Sequence, residues 1–124
     1  MRKTVAIVDD DPAALAALGG LVDALGYRPL CFADPTDFLA SDRARSIDVL
    51  VADIRLRDFS GIVLHRRLRA QGLDVPTILV TAYPDEATSQ RALRAGFHGY
   101  LAKPVVPEEL LACLRRATGQ GGPT

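Results

Sequence analysis

The sequence has no excess of charge of either sign: fifteen Lys and Arg balance fifteen Asp and Glu across 124 residues. That argues against a polycation gripping nucleic acid through bulk charge. Lysine is scarce. Only Lys3 and Lys103 interrupt an otherwise all-Arg basic set, which singles out a Lys kept deep in the chain. Cysteine is scarce too, and Cys31 and Cys113 show neither close spacing nor a histidine partner, so both read as small buried hydrophobes in a reducing cytosol. No apolar run approaches the ~18 residues of a membrane span. The N-terminus passes from Met1-Arg2-Lys3-Thr4 through Val5 to Val8 straight into aspartates, a buried strand rather than a signal peptide. Repeats and low-complexity core segments are missing as well. These absences leave a soluble, cytoplasmic, single-domain chain, long enough to bury about 65% of its unfolded surface without metals or disulfides.

What is present is an alternation of short apolar runs and helical patterns. Val5 to Val8 has strand length, and Asp11-Pro12 then gives a helix cap followed by proline at the first helical position. Leu15, Leu18, Val22 and Leu25 recur at three- and four-residue steps, so 12–25 is an amphipathic helix stopped by Gly26. Tyr27 to Phe32 is a second strand. Asp34-Pro35 repeats the cap signal and opens a short helix expected to run to about Arg43. Ile47 to Ala52 is a third strand ending at Asp53. A loop with Asp58, Ser60 and Gly61 leads to a helix that carries Leu64 and Leu68 and stops at Gly72. Val75 to Val80 ends at Thr81, residues 85–95 are helical, Tyr100 to Ala102 is a fifth strand, and Pro107-Glu108-Glu109 opens the last helix. Gly119 to Pro123 reads as a flexible tail or the start of a linker, which sets the domain at 1–118. Strands apolar on both faces, alternating with helices, predict an α/β doubly wound (βα)5 domain with a five-stranded parallel sheet.

In such a sheet ligands bind beyond the carboxyl ends of the strands. Strand one ends in Asp9, Asp10 and Asp11, strand three in Asp53, strand four in Thr81, and strand five runs into Lys103-Pro104. Clustered carboxylates repel one another unless protons or a cation intervene. Oxygen-only donors with no His or Cys nearby suit a hard divalent cation, foremost Mg²⁺. A hydroxyl and an ammonium beside them suit the remaining oxygens of a phosphoryl group, and an Asp carboxylate can itself be the nucleophile. The four positions together read as a phosphoryl-accepting aspartate. Each alone has an ordinary alternative: Asp11 is a helix cap, Asp53 a loop acid, Thr81 a strand residue, Lys103 a surface charge.

The segments Ile7-Val8-Asp9-Asp10-Asp11-Pro12, Val51-Ala52-Asp53-Ile54-Arg55-Leu56 with Gly61 eight residues after the aspartate, Val80-Thr81-Ala82, and Gly99-Tyr100-Leu101-Ala102-Lys103-Pro104 resemble, in order and spacing, the receiver domain of two-component response regulators. The resemblance covers about residues 3–118 and implies a flavodoxin-like sheet of order 2-1-3-4-5. It implies that Asp53 takes a phosphoryl group from a kinase phosphohistidine, that Asp10 binds Mg²⁺ directly and Asp9 through water, and that the backbone carbonyl of Arg55 is a further ligand. Thr81 and Lys103 would contact the phosphoryl group, and Tyr100 would change rotamer when Thr81 is drawn inward. Pro104 matches a proline whose preceding bond is usually cis. The implied partners are a sensor histidine kinase or phosphotransfer protein, and a second copy bound through residues 85–118. No membrane and no direct nucleic-acid binding by this chain are implied, although a DNA-binding output domain is a possible downstream element. The chain departs from the pattern at Arg57, where proline is usual, and at Val105, where an aromatic is common. Arg55 and Tyr83 stand where, in the family the chain resembles, side chains tune dephosphorylation, and both are bulky enough to hinder water. The implied role is a phosphorylation-controlled switch, not an enzyme with a small-molecule product.

Two other classes use similar elements. A hydrolase with an aspartate nucleophile would want Thr or Val two residues after its second acid, where this chain has Ala13, and space for a cap. A flavin-binding domain would want a Ser/Thr-rich loop after strand one, where aspartates would repel the phosphate. His65 and His98 are isolated in sequence and read as surface or partly buried residues.

Overall fold

A computed structural model describes residues 2–119. The sheet consists of β1 (Thr4–Val8), β2 (Arg28–Phe32), β3 (Val49–Asp53), β4 (Thr77–Thr81) and β5 (Gly99–Ala102). Its strand order is β2-β1-β3-β4-β5, with every pairing parallel. Five α-helices alternate with the strands: α1 (Pro12–Ala24), α2 (Pro35–Ala40), α3 (Gly61–Ala70), α4 (Glu86–Arg94) and α5 (Pro107–Thr118). The doubly wound class and the strand order are as the sequence implied. Apart from the end of the second helix, element ends fall within about two residues of expectation, the usual uncertainty at termini.

The pleat sorts the strand residues into two layers. Val5, Ile7, Val49, Val51, Ile78, Val80 and Leu101 pack with Leu18 and Val22 of α1 and Leu110 and Leu114 of α5. Their neighbours Ala6, Val8, Leu50 and Ala52 pack with Phe38, Leu64 and Leu68 of α2 and α3. Leu79 extends that second face under α4, meeting Ala92 and Phe97, with Ile54, Ile62 and Tyr100 against them. Apolar runs buried on both sides are the reason β1, β3 and β4 lie at the centre.

Helix starts follow side-chain chemistry. Asp11 accepts a hydrogen bond from the Ala13 N–H, Asp34 from Thr36, Ser60 from Val63 and Asp85 from Thr88. Two expectations are corrected. The second helix ends at Ala40, not near Arg43: Ser41 takes an extended conformation and caps a separate 3-10 turn over Asp42–Ser46. Cys31 is exposed on the edge strand β2, although its Sγ turns toward Gly19 of α1, whereas Cys113 is buried as expected. Of the predicted tail, residues 120–124 lie outside the described residues.

Candidate functional site

The carboxyl ends of β1, β3, β4 and β5 deliver Asp9, Asp53, Thr81 and Lys103 to one edge of the sheet. The Lys103 ammonium sits between two carboxylates, 2.6 Å from Asp9 Oδ2 and 2.5 Å from Asp53 Oδ2. Asp9 is fully buried and Asp53 nearly so. Each carboxylate also takes a backbone donor with its other oxygen: Asp11 N–H on Asp9 at 3.0 Å, and Arg55 N–H on Asp53 at 2.8 Å. Lys103 reaches this position from the turn after β5, where the Lys103–Pro104 bond is cis. Burial alone would pull the Lys103 pKa down. The hydrogen bonds and charges of Asp53 and Asp9 outweigh it and hold the ammonium above its ordinary value.

The structure gathers two carboxylates around an ammonium, and the intervening cation is the protein's own lysine. Asp10, half-buried, takes part in none of these hydrogen bonds, and Asp11 serves as the α1 cap. Among the described residues no three His, Cys, Asp or Glu side chains are gathered as a ready-made metal cluster. The donors at this edge are nevertheless all oxygen, which is the set a hard cation such as Mg²⁺ takes.

Thr81 is buried, and its hydroxyl oxygen accepts the Tyr83 N–H at 3.0 Å. The hydroxyl proton goes to no other group among the described residues, so it is free to donate to an incoming oxyanion. Gly61 allows α3 to begin against the end of β3. A Cβ at this position would stand 2.5 Å from the Asp53 carbonyl oxygen. The eight-residue spacing from Asp53 to Gly61 thus has a steric cause.

Two features were not readable in advance. The Arg55 guanidinium lies 4.5 Å from the centre of the Tyr83 ring, joining the loops after β3 and β4. Their positions marked both as bulky, but nothing in the spacing paired them. Arg67 stacks on Phe59 in the same way, 4.4 Å from the ring centre, with no sequence signal at all. Tyr100 is half-buried, and its hydroxyl accepts the backbone N–H of Asp85, the cap of α4.

Comparison with known proteins gives the same architecture. Residues 5–115 match the response regulator receiver domain. The chain is 34% identical over 116 residues to the response regulator protein TmoT of Ectopseudomonas mendocina, covering 94% of this chain and 53% of that one. It is 30% identical over 117 residues to the transcriptional regulatory protein FixJ of Bradyrhizobium diazoefficiens, covering 94% and 57%. It spans about half the length of these relatives. Among solved structures, the BeF3-activated receiver domain of DrrB, a Thermotoga maritima protein, superposes with a TM-score of 0.81 at 31% identity, covering 96% of this chain and 99% of that one. With its sheet order, the Asp9–Lys103–Asp53 constellation and these matches, the chain belongs to the response regulator receiver domain family of two-component signalling.

Proposed function

We propose that Asp53 is the phosphoryl acceptor of this receiver domain and that Lys103 and Thr81 receive the transferred group. The observation that carries this reading is the Lys103 ammonium bridging Asp9 and Asp53. An Asp53 oxygen forms the new P–O bond while the P–N bond of a donor phosphohistidine breaks, its electron pair returning to the imidazole. The Arg55 N–H orients the carboxylate. The ammonium lies where negative charge gathers, and the Thr81 hydroxyl offers its uncommitted proton to a phosphoryl oxygen. Asp9, Asp10, Asp53 and the Arg55 carbonyl would hold Mg²⁺. When bound, that ion neutralises charge on the carboxylates and the incoming phosphoryl group.

The domain, residues 1–118, acts in this reading as a switch and not as an enzyme with a small-molecule product. Phosphorylation draws Thr81 inward and shifts Tyr100. Donors are a sensor histidine kinase or a phosphotransfer protein, and the face formed by residues 85–118 pairs with a second copy. The switch would pass its signal to a downstream DNA-binding output domain, in keeping with relatives such as the transcriptional regulatory protein FixJ, of which the chain covers 57%. The setting is cytoplasmic, in keeping with the fact that no helix among the described residues is long and apolar enough to cross a membrane. The direct test is intact-mass measurement after incubation with acetyl phosphate and Mg²⁺. One phosphoryl adduct on the natural chain and none on Asp53→Asn is the expected result; a stable adduct on Asp53→Asn contradicts the assignment.

A further inference from the structure

The two histidines lie near the opposite end of the sheet from Asp53. His65 of α3 and His98 of the α4–β5 loop line one cleft of about 260 Å³, together with Arg69, Asp74 and Thr77. His65 Nδ1 is 2.9 Å from the Thr77 hydroxyl oxygen, and that hydroxyl is 3.0 Å from the Val75 carbonyl. A hydroxyl has one proton, and a carbonyl can only accept. Thr77 therefore donates to Val75 and accepts from His65, which fixes the His65 proton on Nδ1 and leaves the neutral lone pair on Nε2. Among the described residues His98 Nδ1 is buried with no hydrogen-bond partner, while its backbone N–H donates to the Thr77 carbonyl at 2.8 Å.

The His65 ring packs on Phe97, centroids 4.8 Å apart. Phe97 belongs to the cluster with Leu79 and Ala92 against which Tyr100 packs. The groups facing His65 are Arg69 on its own helix, Asp74 from the α3–β4 loop, Thr77 from β4 and His98 from the α4–β5 loop. Burial lowers the His65 pKa below 6.5, Arg69 and His98 push the same way, and Asp74 opposes them.

We propose that His65 is a proton sensor linked through Phe97 to Tyr100: a proton on His65 alters the packing of the β4–α4–β5 face, and phosphorylation of Asp53 changes how tightly His65 holds that proton. The second half rests on the function proposed above; the first does not. A cation on His65 is repelled by Arg69, drawn to Asp74 and attracted by the face of the Phe97 ring it packs on, whereas the neutral imidazole feels none of these pulls, so the charged and neutral states favour different positions of Phe97. Linkage makes the coupling reciprocal, and a threefold effect displaces the His65 midpoint by about half a pH unit.

The test is an NMR titration of both imidazoles and all amides of the full chain between about pH 5 and 8, the window in which histidines titrate. It is run with and without beryllofluoride, and intact mass after acetyl phosphate reports independently on Asp53. The expected result is a His65 midpoint below 6.5, with the amides of Phe97 and Tyr100 following that midpoint. Beryllofluoride then displaces it. His65→Gln keeps an amide donor for Thr77 without titrating, and should abolish the pH response at Tyr100 while leaving phosphoryl labelling intact. A Tyr100 amide that ignores the His65 titration in the natural chain, or a response that persists in His65→Gln, overturns the sensor. A midpoint unmoved by beryllofluoride, with Asp53 shown to be loaded, overturns the coupling. Absence of any phosphoryl adduct instead indicts the assignment of Asp53, and leaves the unphosphorylated titration to decide the sensor alone.

Discussion

The hydroxyl of Tyr100 accepts a hydrogen bond from the backbone N–H of Asp85 at 2.9 Å. Asp85 in turn caps α4, its carboxylate taking the Thr88 N–H at 3.0 Å and the Thr88 hydroxyl at 2.6 Å. One side chain of β5 thereby holds the start of α4. Tyr100→Phe keeps the ring and deletes the acceptor. It should cost about 1 kcal/mol or less and raise amide exchange at Asp85, with phosphoryl labelling retained. An Asp85 amide as protected as in the natural chain would show that the hydroxyl holds nothing in solution.

Lys103 is the only cation between Asp9 and Asp53 among the described residues. Lys103→Met leaves two buried carboxylates facing each other and should destabilise the fold by about 3 kcal/mol. Millimolar Mg²⁺ should return part of that loss by binding the folded state. Thermal unfolding with and without Mg²⁺ checks both; a variant as stable as the natural chain without metal would show that the ammonium is not needed to offset the repulsion.

Gly61→Ala places a Cβ 2.5 Å from the Asp53 carbonyl oxygen, too close to another backbone to be relieved by a side-chain rotation. Overpacking of this kind costs about 1–3 kcal/mol, and the shift falls on Asp53, the proposed phosphoryl acceptor. Slower labelling by acetyl phosphate together with a lower Tm is expected. Unchanged values of both would mean that α3 moves away freely.

The Arg55–Tyr83 stack spans the loops over the site. A partly exposed cation–π contact is worth about 0.5–1 kcal/mol. If it screens the acyl phosphate from water, Tyr83→Ala should speed loss of the phosphoryl group a few-fold without slowing its uptake. Decay of the intact-mass adduct measures this, and an unaltered decay rate removes the stack from the account.

The His65 pKa is lowered, by burial first and by Arg69 next. In the unfolded chain the imidazole takes up a proton as pH falls through 6.5, while in the folded chain it does not until lower pH. The unfolded state then binds more protons, so stability falls as pH drops below 6.5. Chemical denaturation at neutral and mildly acid pH should show that slope, and His65→Gln should flatten it. An identical slope in the variant would assign the effect to other groups.

The strand ends were legible because an apolar run that stops in an acid, a hydroxyl or a lysine announces both a parallel strand and what it carries. Asp9, Asp53, Thr81 and Lys103 were found in that way, and so was the capping role of Asp11. The balance of charges inside the site was not legible, since spacing puts acids at the ends of β1 and β3 but does not show that Lys103, from the turn after β5, lies between Asp9 and Asp53. Contacts between loops escaped for the same reason: Arg55 and Tyr83 are 28 positions apart, and His65 and His98 are 33 apart. Only the fold brings either pair together. The break at Ser41 escaped because local capping chemistry, not hydrophobic period, ends that helix.

The most direct test of the central claim is to compare backbone amide shifts with and without beryllofluoride in the natural chain and in Thr81→Ala. If Asp53 drives Tyr100 through the Thr81 hydroxyl, the natural chain should respond at residues 82–102 as well as around Asp10 and Asp53. Thr81→Ala should bind the mimic, respond around Asp53, and lose most of the change at Tyr100. Shifts confined to the loops around Asp10 and Asp53 in the natural chain, with residues 82–102 silent, would contradict the account.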